Sequence, residues 1–355
     1  MSKKANGFLS VTSVLLIVLV CLVAFLAYSR IPRPSETIST ITSSIKPAKK
    51  SFSFNAAGDF KNGTNASAVL KAMGDDPVDF SLALGDLSYG PAGSEQAWCD
   101  LVLQNIGNTR PFQLIVGNHD DGTNTSDHAD FNEFRKCLPN KIDGISGDYG
   151  TEYYFDYNHL ARFIMIAPDI NNYGYSYAEG DTGGEHLQWL INAINEARDK
   201  KINWIIVGMH KNCISISTKT CEIGEDLLNN LLSLDVDLIL QGHEHIYART
   251  KQLGLDDKTC PLFTINAVDA DCIVDDGDNY SKGKGSIIVI SGAGGYDLRN
   301  INTSDPEFDY FKAYNGLNMG GSFGFAHFDV SESKLVGSFV PAIGNYTDSF
   351  TISAN

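Results

Sequence analysis

Five apolar segments of this 355-residue sequence end in the same way, with a glycine followed within two positions by a residue that can bind a metal ion. The five endings are AAGD at Asp59, LALGD at Asp86, LIVGN at Asn118, IIVGMH at His210 and LILQGH at His243. Glycine lets the backbone turn sharply where a strand ends and leaves space for the next side chain. Ligands collect at the carboxyl ends of strands in α/β sheets. We therefore expect these five side chains to converge on one crevice.

Two of the endings are more specific because further candidate ligands follow directly. GNHD adds His119 and Asp120, and GHEH adds His245. Carboxylate, amide and imidazole donors suit Fe, Mn or Zn, and not an ion that prefers thiolates. The set exceeds what one ion needs, so it predicts two metal ions that share a bridging carboxylate. Two ions about 4 Å apart can hold a phosphoryl oxygen, generate hydroxide and stabilise a leaving oxygen.

The elements that must position these residues alternate between strand and helix in the first two thirds of the chain. The clearest predicted helix runs from residue 184 to residue 200, where Leu187, Leu190, Ile191 and Ile194 share one face. After about residue 260 strands dominate, and FGFAHFDVS and KLVGSFVPA resemble an antiparallel pair. This pattern predicts an α/β fold with two packed mixed sheets flanked by helices.

The amino-terminal region has a different composition from the rest. Residues 5–29 are uncharged and have a dense apolar centre, which is long enough to span a bilayer as a helix. We expect residues 1–30 to be an uncleaved signal anchor, and a cleaved signal peptide is the alternative. Residues 31–50 mix Pro, Ser, Thr and Lys and predict a flexible linker. Residues 51–355 are then one catalytic domain.

Cysteine usage indicates an exported domain. Six cysteines lie outside the apolar segment, and none has a short metal-binding spacing. The spacing suggests pairs Cys213–Cys221 and Cys260–Cys272, with Cys99 and Cys137 left to pair, although fifteen connectivities are possible. Six buried free thiols in a cytosolic protein are the alternative. Six glycosylation sequons agree weakly with an exported, glycosylated face; they begin at Asn62, Asn65, Asn124, Asn279, Asn302 and Asn345.

The charge is strongly negative and unevenly distributed. The whole chain carries −16, but residues 51–355 hold 20 basic and 42 acidic groups and carry −22. Binding to nucleic acid rests on neutralising phosphates with Lys and Arg, so we expect no nucleic-acid partner. The same surface also disfavours anionic substrates, unless the site itself is locally positive.

The motifs GD, GDxxY, GNHD, VxxH and GHxH, in this order, resemble those of the calcineurin-like metallophosphoesterase superfamily. Within it the sequence is similar to small, single-domain purple acid phosphatases, whose mark is a tyrosine three residues after the second aspartate. Here that residue is Tyr89. The stretches VDLILQGHEHIYART and SGAGGYDLR are also similar to that family. The resemblance implies a four-layer sandwich of two mixed β-sheets flanked by helices.

The resemblance also implies roles for individual residues. The first metal would be Fe(III), held by Asp59, Asp86, Tyr89 and His245. The second would be Fe, Zn or Mn, held by Asp86, Asn118, His210 and His243. His119 would donate to the phosphate or to the leaving oxygen, with Asp120 orienting it, and Asn118, His119 and His210 would contact the substrate. The implied reaction is hydrolysis of small phosphate monoesters outside the cytoplasm by a metal-bound hydroxide, from a domain that is membrane-anchored or secreted.

Two departures from the family pattern bear on the substrate. Lys61 follows GDF where the family usually has a glycine, and residues 211–221 contain no histidine. That segment offers Lys211 and Lys219, which we expect to be solvated loop lysines; binding of a phosphate oxygen by one of them is the alternative. A phosphodiesterase acting on nucleotides or lipid head groups with the same site is an alternative function. A non-catalytic surface binding domain is another.

Overall fold

The computed structural model describes residues 50–123, 125–180 and 184–354. The predicted anchor at residues 1–30 and all but the last residue of the predicted linker at 31–50 lie outside this part of the chain. Within the described residues no helix combines the length and the apolar character needed to span a bilayer.

Short helices separate the strands of the first two thirds of the chain. They are α1 (Thr64–Asp75), α2 (Glu95–Ile106), α3 (Phe131–Cys137), α4 (Gly184–Asp199) and α5 (Glu225–Ser233). The predicted helix from residue 184 is α4, and it buries Leu187, Leu190 and Ile194 as its apolar period requires. Asp130 caps the start of helix α3, since its side chain accepts a hydrogen bond from the backbone N–H of Asn132.

The strands form two large mixed sheets. In chain order they are β1 (Ser51–Ala57), β2 (Phe80–Leu84), β3 (Phe112–Ile115), β4 (Ser146–Asp148), β5 (Glu152–Tyr157), β6 (Ala161–Ile166), β7 (Trp204–Gly208), β8 (Leu238–Gln241), β9 (Tyr247–Thr250), β10 (Gln252–Leu253), β11 (Ile273–Asp275), β12 (Asn279–Ser281), β13 (Ile287–Ser291), β14 (Phe311–Asn315), β15 (Phe323–Ser331), β16 (Lys334–Ile343) and β17 (Asp348–Ser353). Sheet 1 has the order β12-β17-β16-β15-β1-β2-β3, and sheet 2 has the order β14-β9-β13-β8-β7-β6-β5-β4. Strands β10 and β11 pair separately.

Both sheets mix parallel and antiparallel pairs: the parallel strands β1 to β3 form one edge of sheet 1, whereas those of sheet 2 lie at its centre. In sheet 1, β1, β2 and β3 are parallel, and β15 pairs antiparallel to β1. In sheet 2, β6, β7, β8 and β13 are parallel. The predicted terminal pair is β15 and β16, and its antiparallel register is confirmed.

Aromatic side chains fill the space between the two sheets. Phe54 on β1 and Phe163 on β6 meet edge to face with ring centroids 4.9 Å apart, and Phe54 stacks on Phe80 at 5.4 Å. Helices α1 and α2 add buried side chains to this cluster, whereas α4 and α5 pack with the other face of sheet 2. The described residues therefore confirm the α/β class with two large mixed sheets and helices packed on them.

The six cysteines of the described domain form three disulfides. Cys99 pairs with Cys137, Cys213 with Cys221, and Cys260 with Cys272, at sequence separations of 38, 8 and 12 residues. This is the pairing that the spacing suggested. The first bond joins α2 to the end of α3, and the other two close loops beside sheet 2.

The parallel strands of both sheets direct the predicted ligands to one place. Asp59 and Asp86 follow β1 and β2, and His210 and His243 follow β7 and β8, each two residues after the strand ends. A hydrogen bond joins the two sheets at these strand ends: the Gly58 N–H, after β1, donates to the carbonyl oxygen of Ser291, at the end of β13, at 2.9 Å. The carboxyl ends of the two parallel regions thus border a common crevice.

Candidate metal centre

The first group of donor atoms surrounds the hydroxyl of Tyr89. Tyr89 Oη lies 3.0 Å from Asp59 Oδ1, 2.8 Å from Asp86 Oδ2 and 3.0 Å from His245 Nε2. His245 Nε2 is also 3.4 Å from Asp59 Oδ1. The four residues predicted to hold the first metal are therefore brought together, and each places one atom that could bind a metal ion beside the Tyr89 hydroxyl or is that hydroxyl.

The second group surrounds the imidazole of His210. His210 Nε2 lies 3.2 Å from Asp86 Oδ1, 3.1 Å from Asn118 Oδ1 and 3.1 Å from His243 Nδ1. Asp86 belongs to both groups, with one carboxylate oxygen in each. This is the arrangement expected of a carboxylate that bridges two ions.

Four of the seven predicted ligands have left-handed backbone conformations. The φ angles are 60° at Asp59, 51° at Asp86, 51° at Tyr89 and 66° at His243. This region is uncommon for residues other than glycine and costs on the order of 1–3 kcal/mol each, so it persists where the surrounding structure enforces it. Backbone hydrogen bonds do so here, such as that from the Asp59 N–H to the Gly85 carbonyl at 3.1 Å. Such strain is concentrated at functional sites.

Glycine at position 242 is required by the close approach of the two sheets. A Cβ atom there would lie 2.7 Å from the Leu84 carbonyl oxygen and 2.9 Å from Asp59 Oδ2. The space that a side chain at position 242 would need is therefore filled by the Leu84 carbonyl oxygen and by Asp59 Oδ2. Asp59 Oδ2 in turn accepts the His243 N–H at 2.7 Å, which ties the two donor groups together.

Hydrogen bonds on the far side of each imidazole fix which nitrogen faces the crevice. His210 Nδ1 lies 2.7 Å from the Leu84 carbonyl, and His245 Nδ1 lies 3.1 Å from the Asp297 carbonyl. A carbonyl can only accept, so these Nδ1 atoms carry protons and the neutral rings present Nε2 lone pairs to the crevice.

When the Nε2 atoms are deprotonated, lone pairs of nitrogen and oxygen face one another across both groups. The single phenolic proton of Tyr89 can serve only one of its three neighbouring acceptors. Such buried acceptors need a cation between them, which is either a proton, as on His210 without metal, or a metal ion. The residues present fit two metal ions with oxygen and imidazole ligands.

The charges of the second group are strongly coupled. Burial alone would raise the pKa of Asp86 and lower that of His210. Their mutual attraction outweighs burial, so the pKa of Asp86 falls well below its usual range and the pKa of His210 rises to about 9. Without a metal ion, a proton on His210 balances the carboxylate. Metal binding therefore releases protons, as it must at a site of this kind.

Tyr89 is held as a neutral phenol in the absence of metal. Burial raises its pKa well above the usual value for tyrosine, and the carboxylates of Asp86 and Asp59 raise it further. The ring stacks on Tyr296, with centroids 4.0 Å apart and planes inclined by 16°. An adjacent metal cation would favour the tyrosinate form.

Glu222 supports the centre and was missed in the sequence. Its Oε1 lies 2.9 Å from His243 Nε2, so His243 faces the other donors through Nδ1. Burial would raise the pKa of Glu222, but the hydrogen bond from His243 and the neighbouring lysines hold it well below its usual range. Glu222 follows Cys221 in a loop and not a strand, so the pattern of strand followed by glycine could not reveal it. The disulfide beside it is the only local signal in the sequence.

The expectation for Lys211 is wrong, because this residue is not solvated. Only 8% of Lys211 is exposed, and its Nζ lies 2.7 Å from Asp169 Oδ2 and 3.1 Å from Glu222 Oε2. The side chain of Lys219 is 24% exposed and lies 3.5 Å from Glu222 Oε1. Both lysines thus neutralise Glu222.

His119 lies beside the first donor group. Its ring is centred 4.5 Å from that of Tyr89, and its backbone N–H donates to Asp86 Oδ1 at 2.8 Å. Its Nδ1 lies 3.2 Å from the Asp127 carbonyl oxygen, and a quarter of its side chain (25%) is exposed. His119 therefore borders the crevice and remains open to solvent.

Asp120 is predicted to orient His119, but its contacts are different. It is fully buried, and its two carboxylate oxygens accept the backbone N–H groups of Leu87 and Gly117, each at 2.9 Å. Burial raises its pKa to about 8. The carboxylate that approaches His119 is that of Asp127, with Oδ2 3.4 Å from His119 Nδ1. Asp120 instead braces the two loops that carry the donor residues.

Comparison with known proteins agrees with this geometry. The family model for the calcineurin-like phosphoesterase matches residues 54–247, which is more than half of the chain. The probable purple acid phosphatase 20 of Arabidopsis thaliana is 25% identical over 232 residues, covering 61% of this chain and 51% of that protein. A nucleotide pyrophosphatase/phosphodiesterase of Hordeum vulgare is 24% identical over 301 residues, covering 78% and 72%.

The fold is also that of a solved purple acid phosphatase from yellow lupin (Lupinus luteus) seeds. The two structures match with a TM-score of 0.62 at 19% identity, over 87% of this chain and 55% of the lupin chain. This chain thus spans about half the length of the Arabidopsis and lupin proteins. The matched residues contain every donor of both groups, and the chain belongs to the calcineurin-like phosphoesterase family.

Proposed function

We propose that this protein is a dinuclear-metal hydrolase that cleaves phosphate monoesters outside the cytoplasm. The observation that carries the proposal is the position of Asp86. Its two carboxylate oxygens face separate groups of oxygen and nitrogen atoms that can bind a metal ion. Membership of the phosphoesterase family and similarity to purple acid phosphatases support the same reaction class.

The donor sets suggest which ion each group would hold. Asp59, Asp86, Tyr89 and His245 would hold Fe(III), which the phenolate oxygen suits. Asp86, Asn118, His210 and His243 would hold Fe, Zn or Mn. When bound, two such ions polarise a phosphate and supply a nucleophile at mild pH. They also make the crevice locally positive, which allows a small anionic ester to enter an acidic protein.

His119 would protonate the leaving oxygen. Its Nδ1–H donates to the Asp127 carbonyl, so Nε2 is the nitrogen that can gain and lose a proton. Its backbone N–H donates to Asp86, which holds the residue beside the two donor groups. Asn118 and His210 would contact the substrate phosphate from the second group. Asp120 would act as a positioning residue through the loops that it braces.

Hydrolysis of a generic aryl phosphate tests the proposal. The purified chain should hydrolyse it between about pH 4 and pH 8, lose activity on chelation and recover on adding metal. Asp86→Asn should lower kcat by several orders of magnitude, because it removes a charge shared by both ions. Asp143→Asn, at an exposed carboxylate, is the matched control. Absence of metal-dependent hydrolysis over that pH range would refute the proposal.

A phosphodiesterase is the second candidate function. The barley protein, named as a nucleotide pyrophosphatase/phosphodiesterase, matches 78% of this chain and 72% of its own length. The same two-metal site could serve either reaction. Side-by-side rates on a monoester and a diester of the same alcohol would separate them, and a faster diester rate would favour this candidate. A non-catalytic binding domain would be favoured by a preparation that binds no metal.

The location and domain organisation also belong to the proposal. Three disulfides support folding in an oxidising compartment. We place an anchor at residues 1–30, a linker at 31–50 and the catalytic domain at 51–355, with the domain extracellular or lumenal, or else secreted. Treating intact cells with protease tests this arrangement. A catalytic domain that stays protected and remains in the cytosolic fraction would contradict it.

A further inference from the structure

We propose that His119, Asp127 and His128 form a third cation site, separate from the two donor groups, which takes Zn²⁺ or a similar ion of borderline softness. The three side chains each offer a ligand atom, and these atoms lie within 4.8 Å of one another. His119 Nδ1 is 3.4 Å from Asp127 Oδ2, and His128 Nε2 is 4.0 Å from Asp127 Oδ1. The ion would displace the Nδ1 proton that His119 donates to the Asp127 carbonyl oxygen. The two rings are centred 4.7 Å apart.

The surroundings of His128 are those of a metal-binding histidine. Its Nδ1 lies 2.7 Å from Asp121 Oδ1, and the Asp121 side chain is fully buried. Thr123 holds that oxygen in place, since its N–H donates to it at 2.9 Å and its hydroxyl at 2.8 Å. A histidine that donates one N–H to a buried carboxylate presents the lone pair of its other nitrogen. Here that nitrogen is Nε2, on the side of Asp127.

The donor set and its exposure indicate the class of ion. Two imidazoles and one carboxylate are the ligands of Zn²⁺ and its neighbours, whereas Mg²⁺ and Ca²⁺ prefer oxygen alone. The side chains of His119, Asp127 and His128 are 25%, 51% and 20% exposed. An ion can therefore enter from solvent and complete its coordination with water. Three protein ligands at an open surface give an exchangeable site and not a permanent structural one.

Occupation of this site would inhibit hydrolysis, a consequence that rests on the proposed function. The ring of His119 is assigned the proton for the leaving oxygen. A cation bound at Nδ1 removes the hydrogen bond between His119 and the Asp127 carbonyl oxygen and pulls the imidazole toward the Asp127 carboxylate. The third ion would therefore hold the ring away from the leaving oxygen.

Binding stoichiometry tests the site without any assay of activity. The full chain, with its two-metal centre loaded, is dialysed against increasing Zn²⁺, and all metals are counted per chain so that exchange at the centre is seen separately. We expect one further Zn²⁺ to bind. Affinity for it should fall about tenfold or more in His128→Asn, which keeps a donor for Asp121 but loses Nε2, and in Asp121→Asn, which loses the supporting carboxylate.

The control is His159→Asn, at an exposed histidine whose positive φ of 58° asparagine tolerates. It should bind the further ion like the wild type. Absence of any ion beyond the centre, or equal affinity in the wild type, His128→Asn and Asp121→Asn, would overturn the proposal. Because the two variants change different residues, the test still decides if one of them misfolds.

Inhibition is measured separately. Zn²⁺ should slow aryl phosphate hydrolysis by the wild type. When the rate of each protein is divided by its own zinc-free rate, the Zn²⁺ concentration that gives half inhibition should be at least about tenfold higher for His128→Asn than for the wild type. Equal inhibition of both would overturn the inhibitory role. If the protein hydrolyses nothing, the proposed function fails while the binding experiment still decides whether the site exists.

Discussion

Side chains that hydrogen-bond to the proposed metal ligands determine how tightly the centre binds its ions. Glu222 orients His243 through Nε2, and such supporting carboxylates typically contribute about 10- to 100-fold to metal affinity. We expect Glu222→Gln to lower the affinity of the second group by that factor, measured as metal retained against a competing chelator. Glu225→Gln, at an exposed position of α5, should have no effect. Equal retention by both variants would mean that Glu222 supports the loop and not the metal.

Tyr89 gives the centre a spectroscopic property. If the first group holds Fe(III), the tyrosinate should produce a visible charge-transfer band. Tyr89→Phe should abolish that band while His245 and the carboxylates still hold the ion. The absorption spectrum of the two purified proteins is the measurement. A colourless, active wild type would assign a different metal pair.

The residues of the centre were predictable to the extent that they follow strands. Five of the seven predicted ligands meet because a glycine at a strand end leaves one consistent position for the side chain that follows; they are Asp59, Asp86, Asn118, His210 and His243. His245 was predicted from its place in GHEH, and Tyr89 only from the family resemblance. Glu222 and Asp127 were not predictable, because both lie in loops, where no strand pattern sets the position of a side chain. The prediction that Lys211 is solvated was wrong for the same reason, since its partner Asp169 lies in another loop.

At the scale of elements, a pH-dependent contact joins β15 to the end of α1. His327 Nδ1 lies 2.8 Å from Asp76 Oδ2, and its Nε2 lies 3.4 Å from Asp329 Oδ2. The hydrogen bond to Asp76 raises the pKa of His327 despite partial burial. The contact therefore stabilises the fold fully below the unfolded-state pKa of about 6.5 and loses its effect as the pH rises through the higher folded-state pKa.

Replacing His327 tests this contact. His327→Gln should lower the free energy of unfolding in urea near pH 5.5, and the difference from wild type should shrink as the pH rises above neutrality. A constant difference across this range would show that packing, and not charge, dominates at this position. The metal content is kept equal in both proteins.

Elements with a strong local period were predictable, whereas their order in the sheets was not. Helix α4 and the antiparallel pair β15 and β16 follow directly from their apolar patterns. The neighbours of β1 are β2 and β15, and β12 pairs with β17, because packing selects partners hundreds or tens of residues apart. No local pattern carries that information.

At the scale of the whole molecule, one buried charge network joins the two sheets. Arg249 on β9 makes a two-pronged contact with Asp348 on β17, at 2.6 and 2.8 Å, and a further contact with Asp278 at 2.8 Å. The Arg249 side chain is 1% exposed and that of Asp348 is 9% exposed. Tyr247 also donates to Asp348 Oδ2 at 2.8 Å. The network therefore lies where the sheets meet at their antiparallel side.

Breaking this network should destabilise the whole domain. Asp348→Asn leaves the buried guanidinium without its main partner and should lower the free energy of unfolding by about 3–5 kcal/mol. Asp75→Asn breaks the exposed pair with Lys71, whose side chains are 71% and 66% exposed, and should change it by about 1 kcal/mol or less. Urea unfolding of the three proteins gives both values. A loss at Asp348 no larger than that at Asp75 would contradict the proposed role.

The charge of the molecule is compatible with the proposed anionic substrate only if metals occupy the centre. Residues 51–355 carry −22, and Asp59 and Asp86 add buried carboxylates to the crevice itself. Two ions with a total charge of about +5 would exceed the local negative charge and attract a small phosphate ester. The acidic outer surface would still repel polyanions.

The metal content of the purified full chain tests the central claim most directly. Elemental analysis of the wild type and of Asp86→Asn, prepared in parallel, counts the ions that each holds. The bridging position of Asp86 predicts two tightly held ions per wild-type chain and the loss of at least one in the variant. A wild type that holds no metal, or a variant that keeps both ions, would contradict the account.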